Sequence, residues 1–174
     1  MRALGPGSVS SFLKIILDVV FAALWIALGA VALALLAALV FSFNPDLFPD
    51  VLSNNAAVVA RRGPLFAGML LVFALSIIGV LTIVYALRRI FLTLTAGDPF
   101  HPHNVQRLRL IGLVLAALEV GRYGVWGVSS LVPWVKDVKP NFSLTAWFSV
   151  LVVFVLAEVF REGARLRREA ELTI

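Results

Sequence analysis

The stretch that decides the fold is VVFAALWIALGAVALALLAALVFSF at residues 19–43, a run of 25 residues without a charged side chain. The hydrocarbon core of a bilayer is about 30 Å thick and is crossed by roughly 20 apolar residues in a helix. The run is continuous rather than alternating, which argues against a membrane-spanning strand of a β-barrel. It therefore predicts a transmembrane helix.

Three further apolar runs follow, at residues 65–87, 110–134 and 142–160. The last two are separated by only seven residues, and short connections of this kind join antiparallel neighbours. The sequence thus predicts an all-α polytopic membrane protein with four transmembrane helices in an up-down bundle. We expect residues 1–174 to form a single membrane domain. Opposite charges three or four residues apart after Phe160 predict that the fourth helix continues beyond the membrane to about Ala170.

The composition supports this fold class. Hydrophobic residues make up 61% of the 174 residues and charged residues 14%, whereas a soluble domain carries about 25% charged residues. A soluble chain of this length could not bury so much apolar surface in one core. The absence of Cys excludes a disulfide-stabilised secreted scaffold. The net charge of +5 lies in the connections and termini, so we expect no direct binding of nucleic acid.

The distribution of Lys and Arg predicts the orientation, because cytoplasmic connections are enriched in both. The N-terminal segment, the connection 88–109 and the tail 161–174 hold ten of the fifteen basic residues, and the other two connections hold four. We therefore expect both termini to be cytoplasmic. Candidate contacts to anionic lipid headgroups are Arg88, Arg89, Arg107 and Arg109. Ordinary membrane topology explains the same residues without a specific partner.

The connection 88–109 is predicted to be structured rather than loose. The second helix is expected to continue to about Leu94, and Gly97 is placed to end it in a left-handed conformation. The Asp-Pro pair that follows cannot continue a helix, and the third helix can begin at Pro102 or Asn104. We interpret the segment between the two helix extensions as a cytoplasmic hinge made of Gly97, Asp98, Pro99 and Phe100.

Ionisable side chains inside the apolar runs are the strongest candidates for a functional site, since such groups are expensive in a membrane. Glu119 and Arg122 are three residues apart, which puts them on one helix face. Counted along the helices, Glu158 lies at a similar depth, so the three are predicted to form one polar layer. Two interpretations remain open: a structural ion pair that fixes helix packing, or a proton-titrating site in a transporter.

Motifs that would indicate an enzyme or a metal site are lacking in the sequence. His101 and His103 have metal-like spacing, but the further ligands of a closed site are missing. No nucleophile–base arrangement, phosphate-binding glycine loop or zinc-protease motif is found. We therefore expect a non-enzymatic protein without a metal or another cofactor.

Several stretches together carry a family resemblance. They are LRRI at 87–90, AGDPF at 96–100, NVQRLR at 104–109, AEVFREG at 157–163 and ELTI at 171–174. This set resembles the DUF2975 family of small bacterial membrane proteins. The resemblance implies a four-helix protein of the bacterial inner membrane, for which no activity is established. It also implies, by association only, a sensory or regulatory role beside a cytosolic helix-turn-helix regulator.

These observations lead to three functional hypotheses. The first is a non-catalytic regulatory or accessory protein that binds partner proteins through the hinge and the end of the tail, Glu171, Leu172, Thr173 and Ile174. The second is a small proton-coupled transporter or exporter that uses Glu119, Arg122 and Glu158. The third is a subunit of a larger membrane complex or a homo-oligomer, since small residues recur along the first and third helices.

Overall fold

The computed structural model describes residues 9–44, 56–98, 100–130 and 142–172. These residues form four α-helices: α1 (Val9–Phe43), α2 (Ala56–Thr95), α3 (Pro102–Ser130) and α4 (Leu144–Leu172). Within the described ranges every regular element is helical, which confirms the all-α class.

Three of the helices contain segments long and apolar enough to cross a membrane, namely Phe12–Phe43 in α1, Gly63–Thr95 in α2 and Leu144–Ala170 in α4. Helix α3 is not among them. Its apolar sequence is interrupted by Glu119 and Arg122, and the predicted third span, 110–134, extends past the described residues. Three of the four predicted spans thus have the length and apolar composition that crossing a membrane requires.

The helices are longer than the apolar runs that predict them. Helix α2 begins at Ala56, nine residues before the run 65–87, and passes through Pro64. Helix α4 continues from the apolar run to Leu172, close to the end at Ala170 that charge pairing predicts. Hydropathy locates only the part of a helix that fits the bilayer, whereas charged residues at helical spacing extend the same helix beyond it.

The described residues divide into two compact units. The first unit, Ala22–Ile78, contains the second part of α1 and the first part of α2. Here a Cβ atom added at Gly63 would lie 2.8 Å from the Oγ of Ser42, so the backbone of α2 comes very near α1. Ala67 in α2 is buried close to this point. Small residues therefore allow the two helices to approach each other closely.

The second unit comprises the described residues within Met1–Phe21 and Gly79–Ile174. Its apolar core brings together α2, α3 and α4 through Ala86, Ile90, Leu108, Ile111 and Ala157. At two glycines a side chain from a neighbouring helix packs directly against the helix backbone. An added Cβ would meet Leu118 at 2.8 Å from Gly79 and Phe154 at 3.0 Å from Gly112. This unit contains the candidate site.

Large apolar side chains are exposed along the helices. In α1 the exposed fractions reach 78% for Phe43, 75% for Ile26 and 70% for Leu33. A soluble monomer rarely leaves a large contiguous apolar surface in water. The exposed surface is the one expected of helices that face lipid or another apolar partner.

Candidate functional site

The end of α2 is closed by a helix cap centred on Gly97. Gly97 has a φ of 83°, in the left-handed region that favours glycine. The Gly97 amide donates to the Leu94 carbonyl at 3.1 Å, and the Asp98 amide donates to the Thr93 carbonyl at 3.0 Å. This pair of bonds satisfies carbonyl groups that a helix end otherwise leaves free. The predicted glycine cap is confirmed.

Asn104, in the first turn of α3, fastens this cap to the next helix. Its side chain is fully buried, with an exposed fraction of 0%. The Nδ2 donates to the Oγ1 of Thr93 at 2.7 Å, and the Oδ1 accepts from Arg107 at 2.9 Å. Arg107 also donates to the Arg89 carbonyl at 3.2 Å. One amide thus links the last turns of α2 to the first turns of α3.

The loop between these helices rests on α4. Asp98 forms an ion pair with Arg167 at 2.5 Å. The Phe100 ring lies 5.7 Å from the Phe160 ring, and a Cβ added at Gly163 would fall 2.5 Å from the Phe100 ring. We call Gly97, Asp98 and Phe100, with the side of α4 that Asp98 and Phe100 contact, the GDPF platform. Of the predicted hinge residues, Gly97, Asp98 and Phe100 belong to it, and Pro99 lies outside the described residues.

A groove of about 570 Å³ lies between the start of α3 and the last turns of α4. Its charged lining consists of Arg109, Arg161, Arg165, Arg168, Glu162 and Glu169, and its apolar lining includes Val105, Ala164 and Leu172. We call it the basic groove, because arginines outnumber carboxylates. Of the predicted tail site, Leu172 lines this groove, whereas the side chain of Glu171 and all of Thr173 and Ile174 lie outside the described residues.

The four arginines predicted to contact lipid headgroups occupy different environments. Arg88 pairs with Asp18 at 2.6 Å and lies over the ring of Phe21 at 4.5 Å. The Nε of Arg89 donates to the Tyr85 hydroxyl at 3.1 Å. Arg107 donates to the Oδ1 of Asn104, and Arg109 lies 3.9 Å from Glu158. All four therefore have intramolecular contacts, and their contact with lipid stays a prediction.

A second polar cluster lies midway along α3. Arg122 donates to the Oε1 of Glu119 at 2.5 Å, and the Tyr123 hydroxyl donates to the same oxygen at 2.8 Å. Glu119 is only 8% exposed. The Tyr123 ring also stacks on Phe142 at 6.3 Å. Sequence reasoning missed Tyr123, although its spacing of four residues from Glu119 was a readable signal.

Glu158 does not join this cluster in the described contacts. It pairs with Arg161 on its own helix, and with Arg109 on α3 at 3.9 Å. Arg109 lies ten residues before Glu119 in α3, which corresponds to about 15 Å along a helix. The prediction of one polar layer is therefore wrong. Counting depth along separate helices ignores the lengthwise offset between α3 and α4, and this offset places Glu158 at the level of Arg109.

His101, just before α3, and His103, in the first turn of α3, contact each other. Their rings are 5.0 Å apart, and the His103 amide donates to the Nδ1 of His101 at 3.3 Å. Across the described ranges no three His, Asp or Glu side chains come together as metal ligands.

GDPF at 97–100 and FREG at 160–163, two of the stretches that carry the family resemblance, thus meet in the GDPF platform. The family model DUF2975, described as a protein of unknown function, matches residues 51–174. The chain belongs to the DUF2975 family. The match includes both motifs of this DUF2975 chain and all of α2, α3 and α4, whereas α1 precedes it. Comparisons with curated proteins and with solved structures gave no significant match.

Proposed function

We propose that the chain is a non-catalytic regulatory or accessory protein of the bacterial inner membrane that binds a cytosolic partner at the basic groove. In this proposal α3 is the fourth span, the helices run up and down, and both termini are cytoplasmic. The distribution of Lys and Arg supports that orientation. The GDPF platform and the basic groove then lie together on the cytoplasmic side.

The observation that carries the proposal is the anchoring of the GDPF platform beside the basic groove. The end of α2 is joined to the start of α3 by the glycine cap and the buried Asn104. The contact of Phe100 with Gly163 fixes both on α4. A surface held rigid before binding loses less conformational entropy when a partner docks. A fixed groove is thus a better docking site than a loose connection.

The chemistry of the basic groove indicates the kind of partner. Arg168 and Arg109 are exposed at its wall, and Val105 and Leu172 supply apolar contact. An acidic segment with a few apolar side chains complements this lining, since opposite potentials favour encounter and fix register. A cytosolic helix-turn-helix regulator with such a segment fits the role that the family resemblance implies.

Site-directed photo-crosslinking in the native host tests the docking site. With a benzophenone amino acid in place of Gln106, which lines the groove, we expect an adduct with one partner of defined mass. Arg168→Glu should lower the adduct yield about tenfold, because it reverses a charge at the groove. Arg61→Glu, the same charge change near the start of α2 and outside the groove, should leave the yield unchanged.

A second crosslinker position completes this design. Leu113 is exposed on the apolar part of α3, so the same probe there should give no adduct of that mass. Equal adduct yields at Gln106 and Leu113, or a yield insensitive to Arg168→Glu, would contradict docking at the basic groove.

A transporter is the second candidate, and the burial of Glu119 favours it. A buried carboxylate held by Arg122 and Tyr123 in the middle of an apolar helix is the type of group that proton-coupled transporters use. In this alternative Glu119→Gln abolishes a pH-gradient-driven flux in vesicles while the amount of inserted protein stays constant. We expect the opposite result: Glu119→Gln and Arg122→Gln each reduce the yield of folded protein several-fold, as an ion pair that fixes helix packing requires.

Assembly with further membrane subunits remains the third candidate, favoured by the exposed apolar side chains of α1. Lipid covers such a surface equally well, and the two cases differ in mass. Mass measurement of the chain extracted in a mild detergent separates them, since a subunit or a homo-oligomer appears at more than one chain mass.

A further inference from the structure

A pocket of about 230 Å³ lies between the first turns of α1 and the last turns of α2. Three cationic side chains, Lys14, Arg88 and Arg89, line it together with the Tyr85 hydroxyl group. Its apolar wall includes Leu17 and Phe91. We call it the interhelix pocket. It is separate from the basic groove, with which it shares no lining residue.

The charge of the interhelix pocket is positive after its internal pairing is counted. Asp18 is the carboxylate of the lining, and it pairs with Arg88 at 2.6 Å. Lys14 and Arg89 remain as positive charges beyond this pair. The bond from Arg89 Nε to Tyr85 also holds the guanidinium group of Arg89 at the pocket wall. An anion is the ligand that this arrangement favours.

The position of the pocket indicates where the anion comes from. Lys14 lies near the start of the apolar segment Phe12–Phe43, and Arg89 lies near the end of Gly63–Thr95. The pocket is thus at the ends of two membrane-competent segments, at the depth where phosphate headgroups lie. A small free anion makes no apolar contact with the pocket wall. The glycerol and first methylene groups of a lipid, in contrast, can pack on Leu17 and Phe91.

We propose that the interhelix pocket binds the phosphate group of an anionic phospholipid, with Lys14 and Arg89 on the phosphate oxygens and the lipid backbone against the apolar wall. Arg88 is paired with Asp18 and therefore forms part of the pocket wall without binding the phosphate. This lipid site is independent of partner docking at the basic groove. Among the four arginines predicted to contact lipid headgroups, the proposal assigns the phosphate to Arg89, whereas Arg107 lies outside the pocket.

Lipid retention by the full chain in detergent tests the proposal, measured by native mass spectrometry after addition of phosphatidylglycerol or phosphatidylcholine. We expect phosphatidylglycerol to be retained preferentially. Each cation near a membrane surface contributes about 1 kcal/mol to anionic lipid binding, so the double variant Lys14→Gln/Arg89→Gln should lower retention at least about tenfold. Arg61→Gln/Arg62→Gln removes two charges near the other end of α2, outside the pocket, and is the matched control, with retention unchanged.

Two further arms make the result decisive. Asp18→Asn keeps an acceptor for Arg88 but removes the negative charge, so retention of phosphatidylglycerol should rise several-fold; this variant excludes misfolding as the cause of a loss. Inorganic phosphate and glycerol phosphate at millimolar concentration should not displace the lipid. Displacement by either would overturn the lipid source in favour of a soluble phosphate. Equal retention by the Lys14→Gln/Arg89→Gln variant and the Arg61→Gln/Arg62→Gln control would overturn the site itself.

Discussion

Asn104→Ala is expected to lower the free energy of unfolding by about 2–4 kcal/mol, from the loss of a buried amide that makes hydrogen bonds to a neutral and to a charged partner. The Asn104 side chain has no exposed surface, and it joins Thr93 at the end of α2 to Arg107 in α3. Alanine leaves a cavity and removes the acceptor that Arg107 uses. The measurement is thermal unfolding of the purified chain in detergent, followed by helical circular dichroism.

The matched control for this prediction is Gln106→Ala. Gln106 is an amide two residues along the same helix, but its side chain is exposed. Surface substitutions of this kind usually change stability by less than about 0.5 kcal/mol. A similar loss for both variants would show that the start of α3 tolerates no change at all, and the specific role of Asn104 as a link would be wrong.

The positions of the helices were largely predictable because they depend on local sequence. Uninterrupted apolar runs locate the segments that fit a bilayer, and Gly97 followed by an Asp-Pro pair locates the end of α2. Opposite charges at helical spacing predicted the extension of α4 past the apolar run. Each of these features needs knowledge of only a few neighbouring residues.

The site was predictable only in part, because it depends on which helix faces which. Asn104 was identified as a helix start, yet its burial follows from the position of Thr93 on another helix. Glu158 was assigned to the wrong group because its depth was counted along α4 alone, without the offset that places it beside Arg109. Phe100 and Gly163 are 63 residues apart, and their contact appears only in the folded chain.

The contact between Phe100 and Gly163 explains why a glycine is placed in the middle of α4. In a helix interior, alanine is favoured over glycine by about 1 kcal/mol. A Cβ at position 163, however, would lie 2.5 Å from the Phe100 ring, far inside normal contact distance. Glycine at position 163 is thus required because the Phe100 ring packs against the helix backbone there, and not by the helix itself.

Gly163→Ala therefore has an effect whose sign depends on Phe100. In the native chain we expect a loss of about 1–2 kcal/mol, since the cost of overpacking exceeds the gain in helix propensity. In a Phe100→Ala background the clash is absent, and the same substitution should raise stability by up to about 1 kcal/mol. Thermal unfolding of the four variants of this double-mutant cycle measures both values.

Gly121→Ala provides the control for this cycle. An added Cβ at Gly121 meets nothing within 4 Å, so the substitution should be neutral or stabilising in both backgrounds. If Gly163→Ala were stabilising in the native chain, the Phe100 ring could pack elsewhere. The GDPF platform would then not be fixed on α4. The sign reversal, if observed, instead shows that the loop after α2 and the extension of α4 form one fixed surface, as docking at the basic groove requires.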